Sequence, residues 1–187
     1  MDKIKRLNKL ASLPKNHPNK IINELQLTEG TRILEIGVGG GFFAEQFSTK
    51  IGKSGVYFGV DTEDVFLENL STINSELDNI KSIKSLSESI PIIEEKFDLI
   101  FSRNVFHHLH NRTEYVKAAS HLLTKNGRIC IIDYNEKAVL MKLTGHYTSK
   151  ELIIKELNEA GFVLEIDGVF LNKQSFLVFK QSSDKNN

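Results

Sequence analysis

The chain has 187 residues, 40% hydrophobic and 26% charged, which is enough for one α/β domain with a full core and too little for two of ordinary size. Lysine and arginine total 24 against 24 aspartate and glutamate, so no long-range field favours nucleic acid or an anionic membrane as a partner. The first ten residues lack the apolar core of a secretory signal and no later run approaches the ~18 apolar residues of a membrane span, so a cytoplasmic protein is expected.

In chain order, Lys3 to Leu13 reads as a basic, weakly amphipathic helix broken by Pro14 and Pro18. Its stripe Lys3, Lys5, Arg6 and Lys9 suits either a clamp on an acidic partner or the solvated face of a lid helix. The lid is preferred, because such an arm excludes water from a reaction, with Asn16 and His17 facing an acceptor. Ile21 to Leu27 continues helically until Thr28-Glu29-Gly30 turns into a first strand.

That strand, Ile33-Leu34, runs into Glu35-Ile36-Gly37-Val38-Gly39-Gly40-Gly41, followed by the helix-like Phe42 to Phe47. A buried strand, an acid, a glycine-rich turn and a helix make a backbone-lined nucleotide pocket the natural product; a tight turn without a ligand is the alternative. A dinucleotide fold wants a third glycine where Phe42 stands, which argues against an NAD-linked oxidoreductase. Twenty residues past Gly41, Asp61 closes a second apolar run, Val56 to Val60. An acid at the tip of the second strand of a βαβ unit faces a ribose, whose two hydroxyls suit a carboxylate acceptor. Asp61 also suits the N-cap of the next helix, with Thr62 and Glu63 in its first turn.

Phe66, Leu70, Ile73 and Leu77 recur at helical spacing and mark a core face. Ile80 to Ser85 reads as a third strand, and a loop through Pro91 leads to a fourth, Phe97 to Ser102. Asn111-x-x-Glu114 and Thr148-x-x-Glu151 resemble capping boxes opening two helices, the second ended by Gly161. Between them lies a strand from Gly127 to Asp133, in which Cys130, the single cysteine, is expected to pack as a small apolar residue. Phe162 to Ile166 and Phe176 to Phe179 form an antiparallel pair. Residues 1–27 are thus read as a helical arm or lid, 28–180 as the main domain, and 181–187 as a disordered tail.

Counted from the acid, Glu35-x-Gly37-x-Gly39-x-Gly41 resembles the first motif of the class I S-adenosylmethionine-dependent methyltransferases. Their donor has no phosphate for a helix N-terminus to hold, but an amino acid end and a sulfonium cation. Phe97 to Ile100 followed by Asn104-Val105-Phe106-His107-His108-Leu109 resembles the family's fourth motif, and Leu122 to Arg128 the approach to its fifth strand. Thr148 to Leu152 and Glu159 to Phe162 are similar to the last helix of the small-molecule branch that includes the ubiquinone and menaquinone enzymes.

The resemblance implies a doubly wound α/β fold, a seven-stranded, mostly parallel sheet in the order 3-2-1-4-5-7-6 with helices on both faces. It implies S-adenosylmethionine as cofactor, S-adenosylhomocysteine (SAH) as product and a small-molecule acceptor. Glu35 would serve the donor's ammonium through water; Gly37, Gly39, Gly41, Asp61 and Thr62 would line the donor, and the backbone near Arg103 and Asn104 would close its methionine end. Where the family often carries an acid for the adenine amine, this chain has Ser85-Leu86-Ser87, so adenine contacts would fall to Ser85 and to backbone beside Leu86. Ser102-Arg103-Asn104-Val105 departs from the motif of enzymes that methylate base amines, and one cysteine cannot hold arsenic as the arsenite enzymes do. Arg103 is also placed to hold an anionic substrate or pair with Glu94 or Glu95.

Methyl transfer from a sulfonium is an in-line displacement in which positioning does most of the work. A hydroxyl or acidic carbon as acceptor calls for a base, and His107 and His108, just past the fourth strand, are the candidates, with Tyr134 lining the acceptor cavity and His146 and Tyr147 entering from a loop. His107 capping or packing its helix is the plainer reading. No metal is expected, since His107, His108 and His110 lack a Cys pair or an H-x-x-x-H partner. A non-catalytic S-adenosylmethionine-binding module would share the pocket and lack the acceptor cavity.

Overall fold

The computed structural model describes residues 3–85, 90–91 and 93–182; Leu86 and residues 183–187 lie outside them. Two units divide the chain, Met1–Ser87 and Glu88–Asn187. Seven strands form a mixed sheet in the order β3-β2-β1-β4-β5-β7-β6, the order the resemblance implied.

The first unit contains α1 (Lys3–Ala11), a 3-10 turn (Pro14–Asn16), α2 (Pro18–Glu24), β1 (Arg32–Ile36), α3 (Phe42–Ile51), β2 (Val56–Asp61), α4 (Asp64–Leu77) and β3 (Ile80–Lys84). β1 pairs with β2 and β2 with β3, all parallel, placing Glu35 beside Gly59 and Asp61 beside Lys84. Ile33, Leu34 and Tyr57 have no exposed surface, as expected of parallel strands covered on both faces. A Cβ on Gly59 would lie 2.4 Å from Leu70 Cδ1 and 2.7 Å from Val38 Cγ1, so only glycine lets α4 and the chain after β1 close on β2 here.

The helix ends follow from their unpaired backbone groups. Asn16 Nδ2 donates to the Leu10 carbonyl at 2.6 Å and Ser12 Oγ to that of Lys9 at 3.1 Å, which closes α1 at Ala11, short of the expected Leu13. The helix expected to reach Leu27 ends at Glu24, because the chain turns through a left-handed Gln26 (φ 52°) that sends both Leu25 and Leu27 into the core. Asn79 Nδ2 donates to the Ser48 and Gly52 carbonyls at 3.0 and 2.8 Å, tying β3 to the end of α3.

The second unit contains β4 (Phe97–Arg103), a 3-10 turn (Phe106–His108), α5 (Arg112–Ser120), β5 (Leu123–Tyr134), α6 (Val139–Leu143), α7 (Lys150–Glu159), β6 (Phe162–Gly168) and β7 (Gln174–Gln181). β4 and β5 are parallel; β7 runs antiparallel to both β5 and β6, which accounts for the expected terminal pair. Phe176, Leu177, Val178 and Phe179 are wholly buried, so β7 reads as an unbroken apolar run. Cys130 is wholly buried in β5, and burial pushes its thiol above the usual range against the smaller pull of Arg128.

The start of β5 and the cap of α7 are corrected as well. β5 begins at Leu123 rather than Gly127, because Leu123 already pairs with Phe97 on β4. The cap of α7 is Ser149, whose Oγ accepts from Leu152 N at 3.1 Å; Thr148, one residue earlier, directs its hydroxyl elsewhere. Asn111 occupies the N-cap position of α5 without a side-chain cap bond. The short α6 had no signal in the sequence reading and holds Val139, Leu140 and Leu143 exposed.

Candidate active site

In parallel α/β sheets ligands gather at the carboxyl ends of the strands, and in each unit the predicted residues lie there. In the first, Glu35 is buried in β1, its Oε2 accepting from the Tyr57 hydroxyl at 2.7 Å. Burial, and then the charge and hydrogen bond of Glu35 with the charge of Asp61 behind them, hold the Tyr57 phenol well above its ordinary range, so it stays a donor. Gly37, Gly39 and Gly41 all take positive φ (79°, 51° and 80°), a left-handed backbone that side chains resist. Gly37 N donates to Val60 O at 2.8 Å, anchoring the turn to β2.

Asp61 fastens the other side of that turn. Its Oδ2 accepts from Gly39 N at 3.1 Å, and its Oδ1 from Thr62 N and Glu63 N at 2.8 and 3.1 Å. The N-cap of α4 is Glu63, so the capping role expected of Asp61 is corrected: its carboxylate binds amides ahead of the helix. Of about four acceptor positions on a carboxylate, three are taken and one on Oδ2 remains. Thr62 is exposed, while Ser85 is buried with its N donating to Asp61 O at 2.9 Å.

Helix α1 packs on the glycine turn. A Cβ on Gly40 would stand 2.1 Å from Asn8 Oδ1 and 3.0 Å from Ile4 O, while one on Gly39 would meet only Leu7 Cδ1, at 3.5 Å. Lys3 Nζ pairs with Glu63 at 2.5 Å and lies 4.9 Å over the Phe66 ring, and Asn69 Nδ2 holds Gly40 O at 3.0 Å from α4. The residues fit a donor with an amino acid end: the turn offers close backbone approach, and Asn8 Oδ1 is a buried acceptor without a hydrogen-bond partner among the described residues. Asn16 is committed to the Leu10 carbonyl, and His17 is an exposed left-handed residue joining the 3-10 turn to α2.

In the second unit, β4 ends at a half-buried Arg103, and Asn104 turns left-handed (φ 57°) with its N donating to Ile132 O at 2.8 Å. Asn104 Oδ1 accepts from Gln174 Nε2. His107 follows on the 3-10 turn, with Nδ1 2.7 Å from Asp133 Oδ1 and its backbone N donating to Asp133 Oδ2 at 2.8 Å. Tyr134 N adds a bond to Oδ1 at 2.9 Å and Thr148 Oγ1 one to Oδ2 at 3.1 Å, so four donors converge on a carboxylate with no exposed surface. Because an ionised carboxylate only accepts, His107 donates to it from Nδ1, and Nε2 is the ring nitrogen not engaged by Asp133.

The His107 side chain is only 4% exposed. The rings of the exposed residues His108 and His146 stand 4.1 and 5.5 Å from it, and 5.6 Å from each other. Tyr134 ends β5, half-buried, its carbonyl accepting from Thr148 N at 3.1 Å. Among the described residues no three His, Cys, Asp or Glu side chains are placed to share a metal ion.

The sequence reading singled out His107 and missed Asp133, Thr148 and Asn8. Asp133 carried a signal, an acid ending an apolar strand as Asp61 does. Asn8 carried a weaker one, an amide on the stripe Ile4, Leu7, Ala11.

A family model described as a methyltransferase domain matches residues 27–174. Over 158 residues the chain is 32% identical to the Saccharolobus solfataricus protein named "Probable cobalt-precorrin-6B C(15)-methyltransferase (decarboxylating)", spanning 81% of this chain and 72% of that one. The crystal structure of an S-adenosylmethionine-dependent methyltransferase from Aquifex aeolicus shares the fold over 96% of this chain and 98% of its own, at a TM-score of 0.82 and 22% identity. That of the trans-methyltransferase CalH in complex with SAH covers 82% of this chain and 52% of CalH, at 0.69 and 18%. No helix among the described residues is long and apolar enough to cross a membrane. With the glycine turn, the acid-tipped strands and the sheet order, these matches show that the chain belongs to the methyltransferase domain family and is a class I S-adenosylmethionine-dependent methyltransferase.

Proposed function

We propose that this enzyme methylates a small molecule at a hydroxyl or acidic carbon whose proton is taken by His107 Nε2. The observation that carries the proposal is the His107–Asp133 couple. A buried carboxylate saturated by four donors fixes the imidazole in the tautomer a base requires and stabilises the cation that forms when the proton arrives. When bound, S-adenosylmethionine would supply an electrophilic methyl on sulfur, the electron pair of the S–CH3 bond staying with SAH. Gly37 and Gly39, both left-handed, would present backbone to its methionine end, and the Oδ2 of Asp61, which accepts from Gly39 N, would take a ribose hydroxyl in its remaining position. Ser85, directly after β3, is the residue offered to adenine. His108 and His146 give the buried base a proton route to solvent, and Tyr134 lines the acceptor's side. The balanced charge of the chain supports a small acceptor over nucleic acid.

The test is transfer of labelled methyl to a panel of phenols, catechols and acidic-carbon metabolites. His107→Gln should lower kcat by about 10²- to 10⁴-fold while SAH binds unchanged. Cofactor binding without transfer to any acceptor would leave the non-catalytic module standing, and an undiminished kcat would remove His107 as base.

A further inference from the structure

We propose that Asn8, on the N-terminal helix α1, is a cofactor-binding residue whose carboxamide oxygen accepts a hydrogen bond from the ammonium group at the donor's methionine end. The inference rests on S-adenosylmethionine being the cofactor and assigns it a contact from outside the glycine motif.

Asn8 Oδ1 is sealed from solvent and has no hydrogen-bond partner among the described residues. Buried acceptors are almost always paired, so an orphan against a ligand-binding turn is best understood as a group whose partner arrives with the ligand. Only glycine at position 40 permits this close approach, since a Gly40 Cβ would lie 2.1 Å from Oδ1 and 2.8 Å from Cγ. Asn69 holds the Gly40 carbonyl at 3.0 Å from the α4 side, so the turn cannot shift freely away from α1.

The helix is anchored at its start by Lys3, paired with Glu63 two residues past Asp61, and from there it reaches the glycine turn, where Leu7 faces Gly39. The cofactor brings three kinds of donor. Its ribose hydroxyls belong with Asp61 Oδ2 at the tip of β2, and its adenine amine with the end of β3. The ammonium, to which the family resemblance brings Glu35 only through water, is the donor left for a direct acceptor lying on the glycine turn, and a neutral carboxamide beside Ile4, Leu7 and Ala11 takes it. A charge-assisted bond of this kind is stronger than a neutral one.

The test is calorimetry on the full chain with two probes, SAH and 5′-methylthioadenosine, which keeps the adenosyl thioether and lacks the amino acid end. Asn8→Ala should weaken SAH binding about tenfold and leave methylthioadenosine unchanged. Asn8→Asp, which keeps the acceptor and adds charge opposite the ammonium, should bind SAH at least as tightly as the wild type. Equal losses for both probes would show that Asn8 only packs the arm, and would overturn the proposal, as would unchanged SAH affinity in Asn8→Ala. Failure of the wild type to bind either probe would instead remove the cofactor reading itself, and this inference with it.

Discussion

Replacing Asp133 by asparagine tests the proposed chemistry most directly, because the substitution changes one atom in a site with no room to adjust. Four donors now point at two oxygens: His107 Nδ1 and Tyr134 N at Oδ1, His107 N and Thr148 Oγ1 at Oδ2. If the amide nitrogen replaces Oδ2, Thr148 can rotate to accept, but the His107 backbone N–H faces another donor. If it replaces Oδ1, the imidazole must shift its proton to Nε2, which abolishes the base, and Tyr134 N loses its partner. Either way one buried amide is stranded and the carboxylate's charge is gone. One unsatisfied buried donor costs about 1–3 kcal/mol, and the charge-assisted bonds weaken besides, so Asp133→Asn should lose about 2–4 kcal/mol of stability. The loss in kcat should be larger, about 10²- to 10⁴-fold, since the imidazolium formed on proton transfer loses its counter-charge. Urea unfolding gives the first number, initial rates at saturating donor and acceptor the second, and SAH calorimetry shows whether the donor site is intact. A folded variant that binds SAH normally and retains kcat within threefold would refute the role given to the His107–Asp133 couple.

Three further outcomes are expected. Gly40→Ala should destabilise by about 1–3 kcal/mol through its collision with Asn8, and adding Asn8→Ala should recover more than about 0.5 kcal/mol of that, as a double-mutant cycle in urea would reveal. Asp61→Ala removes the proposed ribose acceptor and releases Gly39, Thr62 and Glu63 amides together, so cofactor affinity should fall by about 1.5–3 kcal/mol by calorimetry; unchanged affinity would take Asp61 out of the site. Because the Tyr57 phenol is held up in the folded chain, it stays protonated while its unfolded counterpart ionises near pH ~10, so the unfolded state then binds fewer protons. Stability present below that pH should therefore fall above it, and Tyr57→Phe should flatten this alkaline decline in unfolding midpoints measured at successive pH values.

Much of the proposed donor site was legible because its residues are neighbours along the chain. The acid and three glycines of Glu35 to Gly41 lie within one strand-to-turn segment, and Asp61 ends the strand that pairs directly with it. The alternation of apolar strands and helices likewise follows from local periodicity, which is why the element order held while boundaries moved at Leu123, Glu24 and Ser149. Thr148 shows the limit of such reasoning. It and Ser149 are equally good caps by type, and only the presence of Asp133 within 3.1 Å of the Thr148 hydroxyl decides which one closes α7.

By itself, then, the sequence determined the glycine turn proposed to hold the cofactor, the acid tips of two strands and the α/β order, since each is written in residues a few positions apart. Tertiary structure alone decided that Asp133 would orient His107 across 26 residues and that Asn8 would meet Gly40 across 32. The first depends on parallel register, which sets Arg103 opposite Ile132 and so brings the turn after β4 beside the end of β5. The second depends on how a helix packs against a loop with no side chain to keep it away, and neither relation leaves a period or a spacing to be read.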